Sequence, residues 1–242
     1  KQFYQYLGLL GMELARMPFH NSKSIKRIVS EINLEKISEI LKEGKGCIIA
    51  TGHFGNWEYA GMALAAYGYP VNAVAKPLKS KSMDYFLNKC RQKTGVKIIY
   101  QKNAYREMLR ALKENEIVVM LLDYDTPPEK GGVFIPFFNQ MAATIPTAAM
   151  LQLKTQAPIV VTRLKRSADL IHSQVEIDQV ILAPKFSKTN KNDKIFEISK
   201  KINESFERFI VESHPEWLWL QRRWRFSYTN NLQSENYTPP MG

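Results

Sequence analysis

At 242 residues the chain has room for one large domain with a core of its own. Hydrophobic residues make up 45%, yet no run approaches the roughly 18 consecutive apolar residues that a bilayer-spanning helix needs, and no signal peptide is visible. The net charge of +11 favours polyanionic partners: an anionic membrane, phosphorylated lipid, an acidic protein or nucleic acid. No helix-turn-helix, zinc-finger or aromatic RNA-binding pattern occurs, so nucleic acid is not expected as a partner. Two cysteines, Cys47 and Cys90, fit a reducing compartment. The first residue is Lys1 and not Met, which makes a preceding segment an expectation.

Residues 1–17 carry Phe3, Tyr6, Leu7, Leu10, Leu14 and Met17 on more than one face. That predicts a helix either packed on the domain or lying on a membrane. Ile25 to Ile32 reads as an edge strand. Asn33 is placed to cap a helix over Leu34 to Lys42, which Gly44 stops. Cys47 to Thr51 is a short apolar run between glycines, read as a buried strand, and from Trp57 to Leu64 the pattern turns helical. Strands are predicted over Val71–Ala75, Val96–Tyr100 and Ile117–Leu122, with helices over Ser80–Thr94 and Ala104–Asn115. Such alternation argues for an α/β fold, a mainly parallel central sheet flanked by helices. Thr126 to Thr147, with four prolines, reads as a long irregular loop. Its Phe134, Phe137 and Phe138 suit either the wall of an acyl-chain tunnel or ordinary core. Pro158–Arg163 and Leu170–Ile177 are read as a strand hairpin, and Asp193–Ser213 as a helix. No linker or repeat divides the chain, so residues 1–242 are read as a single domain.

The chemistry centres on Gly52-His53-Phe54-Gly55-Asn56-Trp57-Glu58. His53 falls where a strand ends and a helix starts, which in open α/β sheets is where active sites form. A neutral imidazole can accept a proton from a hydroxyl, and a carboxylate can fix its tautomer. Five residues on an ideal helix turn about 140°, so Glu58 reaches His53 only if the histidine precedes the helix and Gly52 or Gly55 bends the chain. Asp123 and Asp125 follow another buried strand. They read as polar organisers of a pocket in preference to metal ligands, and no metal is expected. Arg163, at a strand end, suits a phosphate, an aspartate or a structural ion pair equally. Residues 76–110 hold ten basic residues, Arg91 among them, against Asp84 and Glu107. This basic face suits lipid phosphates or an acidic carrier, or is a solvated surface. Residues 214–226 combine Trp217, Trp219 and Trp224 with Arg222, Arg223 and Arg225, which fits a membrane interface or internal packing.

The His53-x4-Glu58 pattern resembles the signature of the lysophospholipid acyltransferase superfamily. Its Phe-Gly-Asn-Trp filling is most similar to the lipid A biosynthesis (lauroyl/myristoyl) acyltransferases. Asp123-Tyr-Asp125, Gly131-Gly-Val-Phe-Ile-Pro-Phe-Phe138, Ala157 to Arg163 and Pro215 to Trp224 resemble further family blocks in the expected order, covering about residues 25–226. Asn139, Ile145-Pro146 and Tyr124 depart from the usual pattern, which leaves donor and acceptor open. The resemblance implies a single acyltransferase domain. In it His53 acts as general base and Glu58 as its orienter, with Asn56, Arg91, Asp123, Asp125 and Arg163 around the substrate. It implies an acyl carrier protein or acyl-CoA as thioester donor and an anionic lipid as acceptor. No cofactor is implied, and the expected place is the cytoplasmic face of the inner membrane. The alternatives are a lysophospholipid or glycolipid acceptor, and a non-catalytic protein that binds anionic lipids.

Overall fold

The structure is a computed structural model that describes residues 1–29, 34–100, 104–184 and 190–226. The expected cap Asn33, residues 30–32 of the expected edge strand and the basic Lys102 lie outside the described residues.

The chain opens with helix α1 (Gln2–Arg16), a single 3₁₀ turn, and α2 (Ser22–Ile28). The strand expected from Ile25 is therefore helical. The reason is a capping box: the Asn21 side chain accepts from the Ser24 N–H, and the Ser24 side chain accepts from the Asn21 N–H. Next come α3 (Leu34–Lys42), β1 (Cys47–Thr51), α4 (Trp57–Ala66), β2 (Val71–Ala75), α5 (Lys81–Gln92), β3 (Lys97–Tyr100), α6 (Ala104–Lys113) and β4 (Ile117–Leu121). Two antiparallel strands, β5 (Val133–Phe137) and β6 (Gln140–Thr144), form a separate hairpin inside the stretch expected to be an irregular loop. Then follow α7 (Thr147–Thr155), the hairpin of β7 (Ile159–Arg166) and β8 (Ser173–Ile181), and the long α8 (Lys191–Glu212).

The central sheet has the order β3-β2-β4-β1-β7-β8, parallel except for β8. The expected α/β architecture is therefore what forms. Successive strand residues face opposite sides, and the two sides are separate cores. Ile48, Ala50, Val118, Met120, Ile159 and Val161 meet α6, α7 and α8. Cys47, Ile49, Ile117, Val119 and Val160 meet the helices before β3. Both faces being covered explains why these strands read as continuous apolar runs.

The strands also end level. Thr51 pairs with Leu121 and Ala75 with Tyr100, while Ala73 lies opposite Val119. The carboxyl ends of four strands thus form one rim, with His53 and Asp123 each two residues beyond it.

Candidate active site

Two glycines shape the turn between β1 and α4. A Cβ on Gly52 would come 2.8 Å from the Asp123 Cγ, so only glycine lets the two strand ends approach this closely. Gly55 has φ +55°, and a Cβ there would meet the Leu164 carbonyl oxygen at 2.2 Å. The turn is gripped from two sides. The Gly55 N–H donates to the Glu216 carbonyl (2.9 Å) and the Leu218 N–H to the His53 carbonyl (3.0 Å). Opposite, Tyr6 Oη of α1 donates to the Gly55 carbonyl (2.9 Å).

The partner of the histidine is Asp123. His53 Nδ1 lies 2.7 Å from Asp123 Oδ1, and the His53 backbone N–H donates to Oδ2 at 2.8 Å. Trp217 Nε1–H donates to the same Oδ2 at 2.8 Å. Burial of Asp123, which is complete, works to raise its carboxyl. The imidazole beside it and these hydrogen bonds outweigh that and hold it below the ordinary carboxylate range. An ionised carboxylate only accepts, so Nδ1 carries the proton and the lone pair sits on Nε2. The His53 side chain keeps 18% of its surface exposed, so Nε2 is the nitrogen a substrate can meet. The Trp57 ring packs edge-on to the imidazole with centroids 4.7 Å apart.

Glu58, the expected orienter, is bonded to another residue. It sits one residue inside α4, and Arg91 of α5 grips it with two parallel bonds, Nε to Oε2 at 2.7 Å and Nη2 to Oε1 at 2.6 Å. Burial alone would lower the Arg91 guanidinium, but the bonded Glu58 carboxylate raises it. Arg91 Nη1 also donates to Asn88 Oδ1 (2.9 Å). The pair fastens the first turn of α4 to α5. Among the described residues, the N–H groups of Trp57 and Glu58 have no hydrogen-bond partner, as expected at a helix start.

The other expected site residues have different surroundings. Asn56 is 1% exposed; Oδ1 caps α4 by accepting from the Tyr59 N–H (3.1 Å) and Nδ2 donates to Glu13 Oε2 (3.1 Å). Its amide is taken up in holding the turn. Asp125 lies opposite Thr144 of β6 across a backbone bridge, and its Oδ2 is buried without a partner. Arg163 is the structural ion pair: 2% exposed, it donates to Glu176 (2.6 Å), to the Phe209 carbonyl (2.9 Å) and to Glu212, tying β7 to β8 and α8. Phe137 is core against Trp217, Trp224 and Arg223, not the lining of a tunnel. Trp217 and Arg223 are buried, so this part of the Trp/Arg-rich segment serves the interior. Within the basic stretch, Lys93 donates to the Pro18 carbonyl and Lys97 is paired with a carboxylate, that of Glu116.

Three residues missed in the sequence complete the site: Trp217 on Asp123, Tyr6 on Gly55, and Glu13. Glu13 receives Asn56 and also pairs with Arg166 of β7, whose Nη2 lies 2.9 Å from Glu13 Oε2. Only Trp217 carried a signal, as an aromatic among conspicuous tryptophans.

A protein-family model described as bacterial lipid A biosynthesis acyltransferase matches residues 1–226. Among curated proteins, the chain is similar to a lipid A biosynthesis acyltransferase of Haemophilus influenzae, 22% identical over 86% of this chain and 62% of the relative. A phosphatidylinositol mannoside acyltransferase of Mycobacterium tuberculosis is 26% identical over 64% of the chain and 50% of its own length. A lipid A biosynthesis lauroyltransferase of Escherichia coli is 24% identical over 92% and 70%. The chain thus spans between half and 70% of the length of these relatives.

Proposed function

The chain belongs to the bacterial lipid A biosynthesis acyltransferase family, and from that premise we propose that it moves a fatty acyl chain from a thioester to a hydroxyl of a lipid A precursor. The single observation that carries the reading is His53 with Nδ1 held on buried Asp123 and its side chain still partly exposed at the sheet's carboxyl rim. A hydroxyl is a poor nucleophile until its proton leaves, and Nε2 takes that proton as the oxygen attacks the thioester carbon. The Asp123 carboxylate stabilises the imidazolium that forms. The tetrahedral intermediate places negative charge on the former carbonyl oxygen. The Trp57 and Glu58 N–H groups at the start of α4 are suited to receive it. Collapse expels the thiolate, which recovers the proton from His53. Attack is direct. Neither cysteine suits an acyl-enzyme: both are buried, and burial pushes the Cys47 thiol up to about 12. Glu58 is then a positioning residue, holding the oxyanion donors in place through Arg91.

An acyl carrier protein is the proposed donor, with acyl-CoA the alternative, and the cytoplasmic face of the inner membrane the proposed place. The net charge of +11 supports an anionic acceptor or carrier. A second acceptor class is favoured by a specific observation: similarity to phosphatidylinositol mannoside acyltransferases supports a glycolipid hydroxyl. The test is mass spectrometry of lipids after incubation with acyl-carrier and acyl-CoA donors and a lipid A precursor, a phosphatidylinositol mannoside and a lysophospholipid. A product acylated on one of these, absent with His53→Ala, is the expected result. A folded protein that acylates none of them, or in which His53→Ala changes nothing, overturns the reading.

A further inference from the structure

Helix α5 buries a polar network and leaves large apolar residues exposed. Its inward residues, Asp84, Asn88 and Arg91, recur at helical spacing and bond one another, Tyr100 and Glu58. Leu87 and Cys90 also face the core, but three large apolar residues point outward: Tyr85 is 65% exposed, Met83 54% and Phe86 39%. Leu78, just before the helix, is also exposed. A surface helix of a free-standing domain shows the reverse pattern. Lys79, Lys81 and Lys89 stand among these residues, all exposed, and the Lys89 ammonium lies over the Tyr85 ring at 5.4 Å.

The position of this face follows from topology. Helix α5 starts after the carboxyl end of β2, and two exposed tyrosines mark the same end of β3, Tyr100 as its last residue and Tyr105 beyond it. That is the rim that carries His53. β2 lies two strands from β1, about 10 Å at the usual strand spacing. The one carboxylate of α5, Asp84, is turned inward as acceptor from the Leu78 N–H, Asn88 and Tyr100. Glu107 of α6 is the exposed acid nearby in sequence, next to Arg106.

We infer that the outer face of α5, with Leu78, Met83, Tyr85 and Phe86 among lysines, docks on a bilayer of anionic lipid and presents the active-site rim to lipid in that surface. Exposed Phe, Tyr and Met also occur in protein interfaces, so the test below sets vesicles against an acidic carrier protein. Aromatic and long cationic side chains side by side are what a headgroup layer accepts, ring and stem in the acyl boundary and charge at the phosphates. The inference rests on the acyltransferase reading only for the identity of the lipid delivered; the docking itself does not depend on it.

The test is co-sedimentation with vesicles of phosphatidylcholine containing phosphatidylglycerol, against pure phosphatidylcholine, using the protein, the double variant Met83→Ser/Phe86→Ser, and Leu182→Ser as a change to an exposed apolar residue at the opposite edge of the sheet. The expected result is binding to anionic vesicles that high salt weakens and that the α5 double variant loses about tenfold or more. Leu182→Ser should bind as the unaltered protein does. Acyl transfer to an acceptor in vesicles should fall with the double variant, while transfer to detergent-dispersed acceptor stays. Equal binding by the double variant overturns the inference. So does absence of vesicle binding together with α5-dependent capture of an acidic acyl carrier protein. If vesicles bind through α5 and no acceptor is acylated, the docking stands and the acyltransferase reading fails.

Discussion

Asp123→Asn should abolish most turnover while leaving the fold in place. The carboxylate receives three donors: the His53 backbone N–H and Trp217 Nε1–H on Oδ2, and His53 Nδ1–H on Oδ1. An asparagine has one acceptor oxygen. Placed where Oδ2 was, it still satisfies two of the three donors, and its amide N–H₂ then faces His53 Nδ1. Two donors cannot face each other, so the imidazole must move its proton to Nε2. That is the nitrogen required to be a base, and it would no longer have a lone pair. Loss of the correct tautomer together with loss of the anion that steadies the imidazolium costs about 10⁴ in rate in a comparable aspartate–histidine pair. At 1.36 kcal/mol per tenfold this is about 5 kcal/mol of transition-state stabilisation. The assay is single-turnover acyl transfer from a thioester, with circular dichroism to confirm folding. His53→Ala and Asp123→Asn should be strongly non-additive, because the aspartate acts only through the histidine. A folded Asp123→Asn protein within tenfold of normal turnover would refute the assignment. A loss for Glu58→Gln as large as for His53→Ala would return the orienting role to Glu58.

His53→Ala should lose roughly 10²–10⁴ in turnover, the usual worth of a positioned base, with thioester binding retained in a filter or calorimetric assay. Arg91→Ala strips the partner from a Glu58 side chain only 9% exposed; unfolding in urea should show a loss of about 3–5 kcal/mol, and replacing both residues by Met should recover most of it. Gly55→Ala must fit a methyl where 2.2 Å separates it from the Leu164 carbonyl, at a positive φ, so the purified variant should unfold at lower urea and transfer acyl chains poorly. Because the Asp123 carboxyl is held below its ordinary value, the folded state binds its proton less readily than the unfolded chain does. Its contribution to stability is complete above the unfolded value near 4 and fades as pH falls through the lower folded one. Urea midpoints from pH 7 to pH 3 should therefore drop less steeply in Asp123→Asn than in the unaltered protein.

The strands β1 and β2 and helix α3 fall where the sequence placed them, because apolar runs bounded by glycine or a turn leave little choice. The β5–β6 hairpin was illegible for a specific reason. Its two-residue turn is Phe138-Asn139, with φ +50° and +58°, and neither the glycine that usually marks such a turn nor a proline-free strand is present. Helix α2 was misread because Ile25, Ile28 and Val29 are β-branched, whereas its cap, Asn21 with Ser24, lies just upstream. The location of the base was readable from strand, glycine and helix in succession. The identity of its partner was not: Asp123 is 70 positions away, and only the parallel pairing of β1 with β4 brings it beside His53. Local spacing made Glu58 the natural partner, and the helix geometry that weighed against it at the outset is what separates the two side chains.

The Trp217 bond to Asp123 spans 94 positions, and segment 216–218 holds the backbone of the histidine turn. A ribosome delivers His53 and Asp123 long before it delivers that tryptophan. Until the last turn of α8 has emerged and the chain has doubled back over the rim, the aspartate lacks one of its donors and the turn lacks its outer brace. Domains assemble from their amino-terminal parts during synthesis, so the His53–Asp123 pair should reach its final geometry only after residue 218 has emerged. Chains released early would share the motif without that geometry.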